Sequence, residues 1–107
     1  MVTRKYAAAL GVFAGVASLW ASHGVAQDYK ARSWAASCAS CHGTDGRGSA
    51  SSEIPALAGR SKADLVAVLK EFQTGKRKTA TIMHQHAKGY SDAQLERIAE
   101  YFSQQKR

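Results

Sequence analysis

Cysteine, proline and acidic side chains are all scarce in this chain. Two cysteines among 107 residues allow one disulfide at most, so a scaffold built on cross-links is excluded. The single proline, Pro55, marks one stretch of irregular backbone. No apolar run reaches the ~20 residues that span a bilayer comfortably. No segment alternates apolar and polar residues as a half-buried strand does, which leaves helices as the only regular structure. Internal repeats, low-complexity tracts and linkers long enough to divide the chain are also lacking, so one domain is the upper limit. Eight Asp and Glu stand against fifteen Lys and Arg, for a formal charge of +7. The basic residues have no interleaved aromatics of the base-stacking kind, which argues against a nucleic-acid partner. Acidic proteins or anionic membrane faces suit this charge better, with association that weakens in salt.

The N-terminus has its own pattern. Arg4 and Lys5 precede an apolar run from Tyr6 to Ala21, and Gly24-Val25-Ala26 supplies two small residues around one spacer. That order predicts a secretory signal peptide over residues 1–26, cut after Ala26. A retained membrane anchor is the alternative, but the run is short for a span. No stable membrane insertion is expected after cleavage, and the product is expected in the periplasm. The remaining domain, residues 27–107, keeps thirteen basic and eight acidic residues. A domain of that size buries little apolar surface and needs a staple of some kind.

Three segments carry helical periodicity. Ala31, Trp34, Ala35 and Cys38 fall at i, i+3, i+4 and i+7, and so do Leu65, Val68, Leu69 and Phe72. Leu95, Ile98, Ala99 and Phe102 repeat the spacing. Ser61 is placed to start the second helix and Gly75 to stop it, while Ser91 and Gln94 form a capping box for the third. Between them lie two long loops, Gly43 to Gly59 and Lys76 to Tyr90. The reading is an all-α domain of three main helices and two long loops that need something to wrap around.

Cys38-Ala39-Ser40-Cys41-His42 matches the attachment signature for c-type haem. Two thiols three residues apart at a helix end can each add to a haem vinyl group. His42 follows where its imidazole can reach the iron, and the covalent group becomes the missing staple. A thioredoxin-like dithiol shares Cys-x-x-Cys but sits in a βαβ setting, which this sequence does not offer. A zinc site needs four ligands, and His84 and His86 alone make a poor second pair. A structural disulfide leaves His42 unexplained.

An electron-transfer haem usually takes a second axial ligand. Met83 is the best candidate, since it lies far enough beyond His42 to cross a haem, and Thr79-Ala80-Thr81-Ile82 before it are small or uncharged. His84 is the runner-up, and a lone Met filling a core gap is the bland alternative. Thioether ligation raises the potential and leaves no open iron position, so catalysis at the haem is not expected.

With these residues in view the chain resembles a class I cytochrome c over residues 28–107. Ile54-Pro55-Ala56-Leu57-Ala58-Gly59 is similar to the family's proline-leucine segment. The resemblance implies that the Pro55 carbonyl accepts the Nδ1 proton of His42, and that Leu57 packs on the haem. It also implies that Trp34 meets the last helix near Ile98 and Tyr101. Lys30 departs from the pattern where the family often has glycine at a close helix crossing, leaving Ala31 as the small contact.

A narrower resemblance runs through Thr81-Ile82-Met83-His84, Ala87-Lys88-Gly89-Tyr90-Ser91-Asp92 and Ile98-Ala99-Glu100-Tyr101-Phe102. These stretches are similar to the cytochrome subunit of flavocytochrome c sulfide dehydrogenase. That family implies a larger FAD-bearing partner that oxidises sulfide and hands over electrons one at a time. Lys76, Arg77, Lys78 and Lys88, with Arg47 near the other edge, make a basic rim to which an acidic docking surface would be steered. A free shuttle cytochrome, serving a terminal oxidase or photosynthetic centre, is the second reading. A haem enzyme or ligand sensor with a displaceable Met83 is the third.

Overall fold

Helix α1 begins because Asp28 offers its side chain to the first turn. Its Oδ1 accepts from the Ala31 N–H at 3.0 Å, satisfying a donor that has no partner within the helix. In the computed structural model, which describes residues 28–50, 53–80 and 82–107, α1 then runs over Tyr29–His42. The signal segment read over 1–26, and Thr81 of the second loop, lie outside the described residues. Ala31 and Ala35 are buried, with Trp34 and Cys38 partly buried beside the core. The helix stops at Gly43, where φ of 86° takes the backbone out of helical space.

A 3-10 turn follows over Thr44–Gly46. Helix α2, Lys62–Gln73, is capped by Ser61, whose hydroxyl accepts from the Asp64 N–H at 3.1 Å. Helix α4, Asp92–Ser103, carries the expected capping box, with Ser91 N–H on Gln94 Oε1 at 2.8 Å and Gln94 N–H on Ser91 Oγ at 3.2 Å. One helix was not expected. Part of the second loop forms the short α3, Met83–Lys88. Six residues are too few to show a repeating apolar face, and only Ala87 of them is buried. The three main helices and the all-α class stand, with α3 added inside the second loop.

Packing runs in sequence from α1 to α4, α4 to α2, and α2 to α3. Ala35, Leu65, Ile98, Ala99 and Phe102 form the centre, and Trp34, Leu57, Leu69 and Tyr101 close around it. Ala31 is 1% exposed while Lys30 is exposed, so the small residue on the buried face of α1 is Ala31. The Arg97 guanidinium lies 4.9 Å above the Trp34 ring. Ion pairs Lys62–Glu100, at 3.1 Å, and Lys70–Asp92 link α2 to α4. Both are on the surface, where each contributes no more than ~1 kcal/mol.

Candidate functional site

One helical turn separates Cys38 from Cys41 at the C-terminal end of α1, so both thiols emerge on neighbouring positions of one face. Neither is in a disulfide. Cys41 is exposed and Cys38 is half-buried against the core. Burial pushes the Cys38 thiol up from its ordinary range, and the nearby Ser37 hydroxyl pulls weakly the other way.

Among the described residues His42 is the one buried polar side chain, 7% exposed. Its Nδ1 stands 2.7 Å from the Pro55 carbonyl oxygen. A carbonyl can only accept, so Nδ1 donates, and in the neutral ring Nε2 keeps its lone pair. Nε2 is therefore the nitrogen free to bind a metal.

The turn between these two residues is locked in several places. Gly48 N–H donates to the His42 carbonyl at 2.8 Å. A Cβ on Gly43 would lie 1.8 Å from the Gly48 carbonyl oxygen, so no other residue fits there. The Gly46 carbonyl receives Leu57 N–H at 2.7 Å and Ala58 N–H at 2.9 Å, tying the turn to the segment after Pro55. Tyr101 of α4 donates its hydroxyl to Asp45 Oδ1 at 2.5 Å. That carboxylate and burial together raise the Tyr101 hydroxyl above its ordinary value, burial being the larger cause.

Met83 is half-buried at the first position of α3. The other end of α3 is fixed by Gln73, whose Nε2 donates to the Tyr90 carbonyl at 2.8 Å. The Tyr90 hydroxyl lies 2.7 Å from Ser37 Oγ on α1. The neighbour of Cys38 is thus joined through Tyr90 to the helix that begins with Met83. Gln73, Ser37, Asp45 and Tyr101 were not singled out from the sequence as site residues. Polar side chains that bond across elements leave no periodic signature. His84 is half-buried and His86 exposed. Among the described residues no group of three or more His, Cys, Asp and Glu could hold a metal ion.

The donor set fits haem c. Two free thiols, one turn apart, are followed at once by a buried imidazole whose second nitrogen is held in the protonated form. Partly exposed apolar side chains such as Leu57 and Leu69 lie against the core, and Ile82 is 51% exposed.

The basic rim is less uniform than its sequence suggests. Arg77 is held by Glu71, Nε to Oε2 at 2.7 Å, and its guanidinium lies 5.8 Å from the centre of the Phe72 ring. Lys76, Lys78 and Lys88 are exposed and take part in no ion pair of the described residues. Arg47 is 3.8 Å from Asp45. No helix among the described residues is long and apolar enough to cross a membrane.

Comparison with known proteins agrees with this geometry. The cytochrome c family profile matches residues 30–106. The chain is 48% identical over 66 residues to the cytochrome subunit of sulfide dehydrogenase of Chlorobaculum tepidum, covering 62% of this chain and 57% of that one. It therefore spans little more than half the length of that relative. It is 41% identical over 70 residues to cytochrome c-554(548) of Halomonas halodenitrificans, covering 64% and 83% of the two chains. A thiosulfate dehydrogenase electron acceptor of Thiomonas intermedia is 40% identical over 72 residues, 67% of this chain and 33% of that one. The chain belongs to the cytochrome c family, and as such it carries covalently bound haem c, the one-electron group of that family.

Proposed function

We propose that Cys38 and Cys41 hold the haem as thioethers, that His42 Nε2 and Met83 are its axial ligands, and that Pro55 and Leu57 complete the pocket. The observation that carries this reading is the 2.7 Å bond from His42 Nδ1 to the Pro55 carbonyl. It fixes the tautomer, orients the ring and makes Nε2 a better donor. Haem c supplies a one-electron iron couple when bound. The chain's own work is to hold that group, to keep water from the iron with Met83, and to present a basic rim to a partner.

The partner in this reading is a larger FAD-bearing subunit that oxidises sulfide or a related sulfur compound, with an acidic docking surface. Support comes from the similarity to a sulfide dehydrogenase cytochrome subunit and a thiosulfate dehydrogenase electron acceptor. In this reading residues 1–26 are an export signal, the mature chain starts at Gln27, and the protein works in the periplasm. The free-shuttle reading is favoured by one observation, the coverage of 83% of a relative named simply as a cytochrome.

The experiment is purification of the exported protein from its own host, with spectra of both oxidation states. Haem c bands with a weak sulfur-to-ferric-iron band at the red end are expected, together with a co-purifying flavin-bearing chain. Haem bands without the red band would point to His84 or an open iron. A haem protein that purifies alone and is reduced by soluble donors supports the shuttle reading.

A further inference from the structure

Beside the Pro55 segment the molecule has an open cavity of about 380 Å³ lined by Arg47, Ala56, Ala58, Arg60 and Arg107. Three guanidinium-bearing residues from separate parts of the chain converge there. Arg47 follows the 3-10 turn, Arg60 precedes α2, and Arg107 follows α4. Folding draws them together, because Gly59 N–H donates to the Phe102 carbonyl at 2.9 Å. That bond binds the Pro55 segment to the end of α4.

Gathering like charges in this way is unfavourable unless something opposes it. Two of the three side chains are held by backbone carbonyls instead of carboxylates. Arg47 Nε donates to the Lys106 carbonyl at 3.2 Å, and Arg107 Nη2 donates to the Gly59 carbonyl at 3.4 Å. Such bonds orient a guanidinium and leave its charge in place. In the ion pairs of the described residues neither Arg60 nor Arg107 has a carboxylate, and Arg47 has Asp45 only at 3.8 Å. The methyl groups of Ala56 and Ala58 add no acceptor and little bulk to the lining.

We propose that this cavity is a binding site for a doubly charged tetrahedral oxyanion of the sulfate or phosphate type. Planar guanidiniums donate in pairs to such oxygens, and their charge-assisted bonds are stronger than neutral ones. Apart from Arg47, which also belongs to the basic rim, the site uses none of the residues assigned to haem attachment or to that rim, so it is a distinct function of the surface.

The test is an amide NMR titration of the reduced holoprotein with sodium sulfate and, separately, sodium phosphate, against sodium chloride at matched ionic strength. Saturating shifts confined to Arg47, Ala56 to Arg60 and Lys106 to Arg107 are expected with one or both oxyanions, and not with chloride. Saturation with one alone assigns the site to that anion. Arg60→Gln and Arg107→Gln should each weaken binding about tenfold, the loss of a charge-assisted bond. Lys76→Gln should leave it unchanged. Two variants guard against one that folds poorly. Shifts that rise linearly, match those of chloride, or survive both arginine variants overturn the proposal.

Discussion

Asp28 grips Arg97 across the contact between α1 and α4, with Arg97 Nε 2.6 Å from Asp28 Oδ2. The other carboxylate oxygen takes the Ala31 N–H at 3.0 Å, so one side chain both starts α1 and fastens it to α4. The hydrogen bond from Arg97 and then that from Ala31 hold the Asp28 carboxyl at about 2, below its ordinary 3.8. The folded state thus binds this proton less readily than the unfolded chain does. Its contribution to stability is complete above about pH 4 and is lost as the pH falls toward about 2. Asp28→Asn keeps a cap but not the charge. Denaturant titrations of both proteins from pH 6 down to pH 2 should show the gap between them closing over that window. A gap that stays constant would mean that the charge on Asp28 does not matter.

Gly43→Ala should block the holoprotein from accumulating. The added Cβ would meet the Gly48 carbonyl oxygen at 1.8 Å, on a backbone with φ of 86°. Strain at such a position costs about 1–3 kcal/mol before the clash is counted. The turn that must move is the one that holds His42. The yield of haem-loaded protein, with Gly75→Ala as a comparison, checks this, since nothing lies within 4 Å of a Cβ at Gly75.

Met83→Ala should keep the covalent haem, lower the midpoint potential and admit small ligands such as cyanide or imidazole to the iron. Loss of the red charge-transfer band accompanies these changes. An unchanged potential and spectrum would refute the axial assignment.

Charge removal on the rim should separate two kinds of cation. Lys76→Gln with Lys78→Gln should slow association with the electron-donating partner, and flatten the fall in rate with added salt. Arg77→Gln combined with Glu71→Gln should alter that rate far less, because the two charges removed already cancel each other. Stopped-flow reduction across a range of ionic strength gives both slopes. An effect of that double replacement as large as the effect of the two lysines would show that association does not follow the net charge of the rim.

Much of the molecule could be read before any coordinates. The apolar spacings at Ala31–Cys38, Leu65–Phe72 and Leu95–Phe102 mark the helices, since a buried stripe on a helix repeats in sequence. Ser61 and Ser91 mark two starts, because a cap acts on backbone only three residues away. Cys38, Cys41 and His42 declare the haem chemistry, since its geometry lies within one helical turn.

Other features depend on chain segments that meet only when folded. The Pro55 carbonyl reaches His42 across thirteen positions, and that contact was suggested by family resemblance, not by any local pattern. Tyr101 on Asp45, Gln73 on the Tyr90 carbonyl, and the arginine-lined cavity had no sequence signal at all. The short α3 was hidden for a related reason, as it owes its place to packing on α2 instead of to an apolar repeat. Sequence by itself determined the three main helices, the caps of two of them and the Cys-x-x-Cys-His motif, because those rest on interactions within a turn or two of chain. Only the tertiary structure decided which cations are already paired, how the His42 ring is held and where the arginines converge, because long-range contacts are set by packing.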